Sequence, residues 1–216
     1  MATAPALLAR GPWQADQVVV TWLTDAYEPD SVATDAADVA LEALRSRGSP
    51  SHDGLAARLS DFRAEADGLW LELQPARWAL RLSHDDAVGS LAVLCLVRAA
   101  DGRWLAGRRA AWLASWAGRW ALGAGGSVEL EENPVQTMSR ELQEEWSVAP
   151  ESLQIEALIR LPSGVTMLVG QAWLAEGAEV TPDAEHDEFA WWPAAVSQWP
   201  EEADAPLQAM AALLSA

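Results

Sequence analysis

Residues 126–148 read GSVELEENPVQTMSRELQEEWSV, and this stretch constrains the chain more than any other. Asn133 is a good helix N-cap, and Pro134 falls at the first helical position, where its missing N–H is harmless. At about 100° per residue, Val135, Met138 and Leu142 form an apolar stripe, which predicts a helix with one side buried. Glu141, Glu144 and Glu145 span an adjoining arc of roughly 100°. Like charges at that spacing weaken a helix, so a compensating partner is expected, and a metal ion is the first candidate. Hard divalent cations such as Mg²⁺ take carboxylate, carbonyl and water oxygens, and the preceding Gly125-Gly126 lets backbone approach the same point. The alternative is an acidic face that is merely solvated.

The whole chain is acidic. Fourteen Arg and no Lys stand against 32 acidic residues, and the net charge of −18 repels nucleic acid backbones and anionic membranes. Neither is expected as a partner. The start, MATAPALLARGPW, has no basic n-region, and the longest apolar run, near Leu91–Val97, is too short to span a bilayer. These features predict a cytoplasmic protein. The single cysteine, Cys95, lies inside that run and is expected to pack as a small hydrophobe in a strand.

The order of patterns suggests two parts. QVVVTWL (17–23) reads as a strand, and DSVATDAADVALEALRSRG (30–48) as a helix with Val39, Leu41 and Leu44 at helical spacing and Gly48 as its stop. Asp67-Gly68 signals a hairpin, after which Leu69, Leu71 and Leu73 alternate with Trp70, Glu72 and Gln74. SHDDA (83–87) marks the expected boundary between a β-rich extension, residues 1–85, and a domain of residues 86–216. There VGSLAVLCLV (88–97) reads as a buried strand, with Asp101-Gly102 as the turn into RWLAGRR. Most of the thirteen Trp are expected to be core or interface anchors.

The spacing of the acidic stretch carries a resemblance. Gly126 is followed after five residues by Glu132, and after seven more by Arg140, Glu141, an aliphatic Leu142, one residue, Glu144, Glu145, one residue, Ser147 and aliphatic Val148. This resembles the signature of the Nudix hydrolase family, with Ser147 where that family has glycine. GRWALGAGG (118–126) is similar to the strand and loop entering the family's box, with Ala124 in place of its proline, and EHDEFAWWPAAV (185–196) is similar to an acidic loop and Trp-containing segment near the family's last helix.

The resemblance implies an α+β fold, an α/β/α sandwich around a mixed β-sheet. It implies Mg²⁺- or Mn²⁺-dependent hydrolysis of a phosphoanhydride in a nucleoside diphosphate derivative. Glu141, Glu144 and Glu145 would be catalytic metal ligands, joined by the Gly125 carbonyl. Gly126, Glu132 and Arg140 would support the box. Glu185 and Glu188 are candidates for the general base, and Arg108, Arg109 and Arg119 for gripping phosphates. Pro162, 14 residues beyond Val148, favours ADP-ribose or a nucleotide sugar as the small-molecule substrate. Oxidised nucleoside triphosphates are the alternative, as is an inactive ligand-sensing or scaffold domain. Trp13, Trp22, Trp70 and Trp78 lie in a segment the box does not require, and with the assembly habits of such relatives they predict a homodimer built through the extension.

Overall fold

The computed structural model describes residues 5–48, 53–83, 89–113 and 116–215. The extension holds β1 (Ala6–Gln14), β2 (Val18–Trp22), α1 (Ser31–Ser46), β3 (Leu55–Glu65), β4 (Gly68–Arg77) and a 3-10 turn at Trp78–Leu82. Then follow β5 (Leu91–Arg98), β6 (Trp104–Arg109), β7 (Trp120–Leu122), α2 (Pro134–Trp146), β8 (Ser152–Arg160), β9 (Thr166–Trp173), β10 (His186–Trp192) and α3 (Ala205–Ser215). The expected boundary segment lies outside the described residues from residue 84 onward.

The main sheet runs β1-β8-β9-β5-β6-β10, with β7 paired to β6. It is mixed, because β5 and β9 are parallel while its other pairs are antiparallel. α2 covers one face, where Met138, Leu142 and Trp146 pack with Val93, Cys95 and Leu105. α3 covers the other, where Leu207 and Ala211 meet Leu96, Ala106 and Trp192. The result is the α/β/α sandwich that the resemblance implies. Cys95 is fully buried, and burial pushes its thiol pKa up, so it packs as a hydrophobe.

The extension is less separate than its pattern suggests. β2, β4 and β3 form a second, three-stranded sheet, and the alternating Leu69, Leu71 and Leu73 point into the same apolar cluster as Met138 and Leu142. β1 goes further and pairs with β8 as an edge strand of the main sheet. Its Gly11-Pro12 fits that edge, since proline cannot donate to a central ladder. Trp13 is fully buried, and its Nε1 donates to the Glu65 carbonyl at 2.8 Å. Part of the aromatic surplus is therefore covered by the chain itself. On α1, Leu41 and Leu44 are buried as expected, but Val39 is 72% exposed, because two residues before Leu41 it lies about 200° around the helix.

No helix among the described residues is long and apolar enough to cross a membrane.

Candidate active site

α2 begins and ends as its sequence requires. Asn133 Oδ1 accepts from the Val135 N–H at 2.9 Å, and Gln136 Oε1 accepts from the Asn133 N–H at 3.2 Å. At the other end Ser147 takes φ 55° and ψ 36°, the left-handed conformation that glycine adopts without strain. The buried stripe of Met138, Leu142 and Trp146 fixes the rotation of the helix, and the three glutamates descend from solvent into the core across it.

Glu144 is exposed, Glu141 is largely covered, and Glu145 is only 4% exposed. Glu145 Oε1 accepts from the Gly125 N–H at 3.0 Å. Its Oε2 is buried with no hydrogen-bond partner among the described residues, His186 Nε2 standing off at 3.6 Å. Burial, against the Gly125 hydrogen bond and reinforced by Glu141, pushes the Glu145 pKa up to about 9. Burial also raises Glu141, against the pull of Arg140. Two adjacent carboxylates that resist ionisation in the absence of a cation are a donor set that a divalent cation would complete.

The approach of the loop to these groups is close. A Cβ on Gly126 would lie 2.1 Å from Glu141 Oε1, and one on Gly125 would lie 2.5 Å from the Val93 carbonyl oxygen. A side chain at Gly125 would strike backbone, and one at Gly126 would have to displace the Glu141 carboxylate.

Arg140 organises the loop and the helix together. Its Nε and Nη2 reach the two oxygens of Glu132 at 2.9 and 3.1 Å, and Nη1 reaches Glu141 at 2.9 Å and Glu144 at 3.0 Å. Burial disfavours the Glu132 anion, but Arg140, the Thr137 hydroxyl and the Glu129 N–H outweigh it and hold its pKa below the usual carboxylate value. Among the described residues no group of three His, Cys, Asp or Glu side chains stands ready as a metal cage. Glu141 and Glu144 each give one carboxylate oxygen to Arg140.

Adjacent residues on a strand face opposite sides, and this divides the remaining candidates. The Gly107 position faces His186 and Trp146, so Arg109, two residues on, lies on the α2 side. There it pairs with Glu185 at 3.3 Å. Burial raises the Glu185 pKa against the pull of Arg109, with Asp183 and Glu144 adding to the rise. Glu185 thus joins the acidic cluster. Arg108 pairs with Glu188 at 3.4 Å on the α3 side, where Glu188, Trp120 and Trp192 line a surface pocket. Arg119 is tied to Asp204, just before α3. The fold gathers Glu141, Glu144, Glu145, Gly125, Glu185 and Arg109, and it places Glu188, Arg108 and Arg119 elsewhere.

Two further groups enter the cluster. His186 packs on Trp146 with ring centroids 4.3 Å apart and lies 3.2 Å from Asp183 through Nδ1. Burial lowers its pKa against the effect of Asp183. Arg81, from the 3-10 turn of the extension, hydrogen bonds to the Ser127 hydroxyl beside Gly126. Only proximity in the fold reveals either, although His186 sits in sequence between Glu185 and Glu188, in a stretch expected to be a loop that from His186 onward is strand β10.

A NUDIX domain family model matches residues 90–212. Among solved structures, the MutT protein from Methanosarcina mazei is 28% identical, covering 47% of this chain and 75% of its own, with a TM-score of 0.39. The NUDIX domain of Shewanella oneidensis NrtR, complexed with ADP ribose, is 22% identical over 57% of this chain and 86% of its own, with a TM-score of 0.45. The MutT NUDIX hydrolase from Burkholderia pseudomallei is 22% identical over 58% of this chain and 95% of its own, with a TM-score of 0.47. No curated protein matches the sequence.

Proposed function

The chain belongs to the NUDIX family, and on that premise we propose that it is a pyrophosphohydrolase cleaving a phosphoanhydride in a nucleoside diphosphate derivative. The observation that carries this reading is the buried Oε2 of Glu145, with no hydrogen-bond partner among the described residues, beside a second raised carboxylate, Glu141. Glu141, Glu144 and Glu145, with the Gly125 carbonyl, would hold Mg²⁺ or Mn²⁺. The bound cation supplies charge neutralisation at the phosphoryl oxygens and acidifies water.

The chain's own groups do the rest. Arg140 holds the helix and the loop in register through Glu132. Glu185 is the favoured acceptor for the proton of the attacking water, since burial has already raised its basicity. Arg109, its partner, is placed to turn toward a phosphate when Glu185 takes up that proton and loses its charge. Glu188, Arg108 and Arg119 would act, if at all, from outside this cluster.

Pro162, in the turn between β8 and β9, inclines the substrate toward ADP-ribose or a nucleotide sugar, with oxidised nucleoside triphosphates as the second class. We place the enzyme in the cytoplasm as a homodimer whose contact includes Val32 and Val39, two exposed valines seven residues apart on α1. Light scattering after size exclusion tests the assembly.

A panel of nucleoside diphosphate derivatives and oxidised nucleoside triphosphates, read by phosphate release after phosphatase treatment, tests the chemistry. Turnover of at least one compound with Mg²⁺ or Mn²⁺, abolished by excess chelator, is the expected result. Failure across the panel with both metals would leave a ligand-binding domain in its place.

A further inference from the structure

Among the described residues, Arg81 is the cation that the extension delivers to the box. It lies in the 3-10 turn Trp78–Leu82, and its Nη1 donates to the Ser127 hydroxyl. The Trp78 Nε1 donates to the same hydroxyl at 3.0 Å, and the Arg81 guanidinium stands over the Trp78 ring at 5.5 Å. Ser127 also offers its carbonyl to Arg140 Nη2 at 3.4 Å, and the neighbouring Gly126 abuts the Glu141 carboxylate. Arg81 is thereby fixed within a few residues of the acidic cluster, and with Ala57, Leu91 and Ser127 it lines a narrow cleft between the two sheets.

Its described surroundings do not neutralise it. A guanidinium carries five N–H donors, and among the described residues Arg81 has the Ser127 hydroxyl and no carboxylate in ion-pair contact. Every other arginine at the cluster is neutralised: Arg140 by three glutamates and Arg109 by Glu185. Burial works against the Arg81 charge, and Glu141 and Arg109 are the charged groups whose fields reach it. Among the described residues this partly buried cation has no anion in contact, and Ser127 and Trp78 hold it in a fixed orientation in advance.

We propose that Arg81 binds a phosphate of the substrate, so that the extension completes a substrate site whose acidic half is supplied by α2. This rests on the hydrolase reading above. It names the class of ligand group, a phosphate of a nucleoside diphosphate, and gives the extension a part in recognition. Guanidinium suits the role because it offers paired N–H groups to paired oxygens.

The test compares wild type with Arg81→Ala and Arg81→Lys in the full chain. Binding of α,β-methylene-ADP with Mn²⁺ is measured by calorimetry, steady-state kinetics on whichever substrate the panel yields, and Tm by scanning fluorimetry. For Arg81→Ala, a rise of about tenfold or more in both Kd and KM is expected, with kcat within a few-fold. Arg81→Lys, which keeps the charge and a hydrogen bond to Ser127, is expected to recover part of the loss and serves as the working variant if the alanine form does not fold. Unchanged Kd and KM in a folded variant would overturn the proposal, as would a fall in kcat and Tm with Kd intact, the signature of a mere brace on the Ser127 loop. If the wild type itself neither binds the analogue nor turns over any substrate, the hydrolase reading fails and this inference with it.

Discussion

The Gly125 N–H and the Glu145 carboxylate are joined by a 3.0 Å hydrogen bond that occupies Oε1, while Oε2 is buried with no hydrogen-bond partner among the described residues. One oxygen positions the acid, and on the proposed function the other is the one that would meet a cation. Replacing Glu145 by Gln keeps the shape and removes the charge. Turnover should fall by at least about a hundred-fold, the scale of a lost catalytic group. Thermal denaturation of the metal-free variant should occur at or above the wild-type Tm, because a buried carboxylate is gone, while Mn²⁺ should raise the wild-type Tm far more than the variant's. Glu144→Gln should lower turnover on the same scale. Near-normal activity in both variants would mean that these carboxylates take no part in the reaction.

A second expectation concerns pH. The folded Glu145 pKa, about 9, lies above the ordinary carboxylate value of 4.5. Between those values the folded state binds the proton more tightly than the unfolded one, so this group makes metal-free stability fall as pH rises through that window. Glu132, whose pKa is depressed, acts in the opposite sense, adding stability above its unfolded pKa that is lost in acid. The difference between wild type and Glu145→Gln isolates the first effect. Urea unfolding from pH 5 to 9 without metal should show a steeper decline in the wild type, and parallel curves would refute the assignment.

Ser147 gives a third. A non-glycine residue in the left-handed region costs about 1 kcal/mol, and Ser147 at φ 55° is such a residue. Ser147→Gly should raise stability by about 0.5–1 kcal/mol in chemical denaturation and leave kcat unchanged, since no ligand is altered.

The fourth follows from the shared core. Deleting residues 1–85 removes β1 from the edge of β8 and strips Leu69, Leu71 and Leu73 from the cluster around Met138 and Leu142. The remaining piece should be insoluble or lack a cooperative unfolding transition. A soluble, fully active fragment would show that the main domain stands alone.

Much of the site could be read from residues near one another in sequence. Asn133, Pro134 and the stripe through Leu142 define α2 locally, and the glutamates follow from its period. What escaped reading depends on distant partners. β1 is an interrupted pattern that becomes a strand only because β8, far along the chain, offers it an edge. His186 and Arg81 enter the site through tertiary contacts with Glu145 and Ser127. Arg108 and Arg109 are a different case: strand alternation already implies that two neighbours cannot both face the acidic helix, and the structure selects Arg109.

The pairing of β1 with β8 also limits how the molecule can move. The segment from Val18 to Leu82 is anchored upstream by a strand woven into the main sheet and downstream by β5, a central strand of that same sheet. A body moored at both ends and packed into the same apolar cluster as α2 has little freedom to swing as a hinged flap does. It can only breathe against its mooring. Access to the groups beside Ser127 must then come from small shifts of side chains and loops, and the catalytic cycle should run with little change in the radius of gyration.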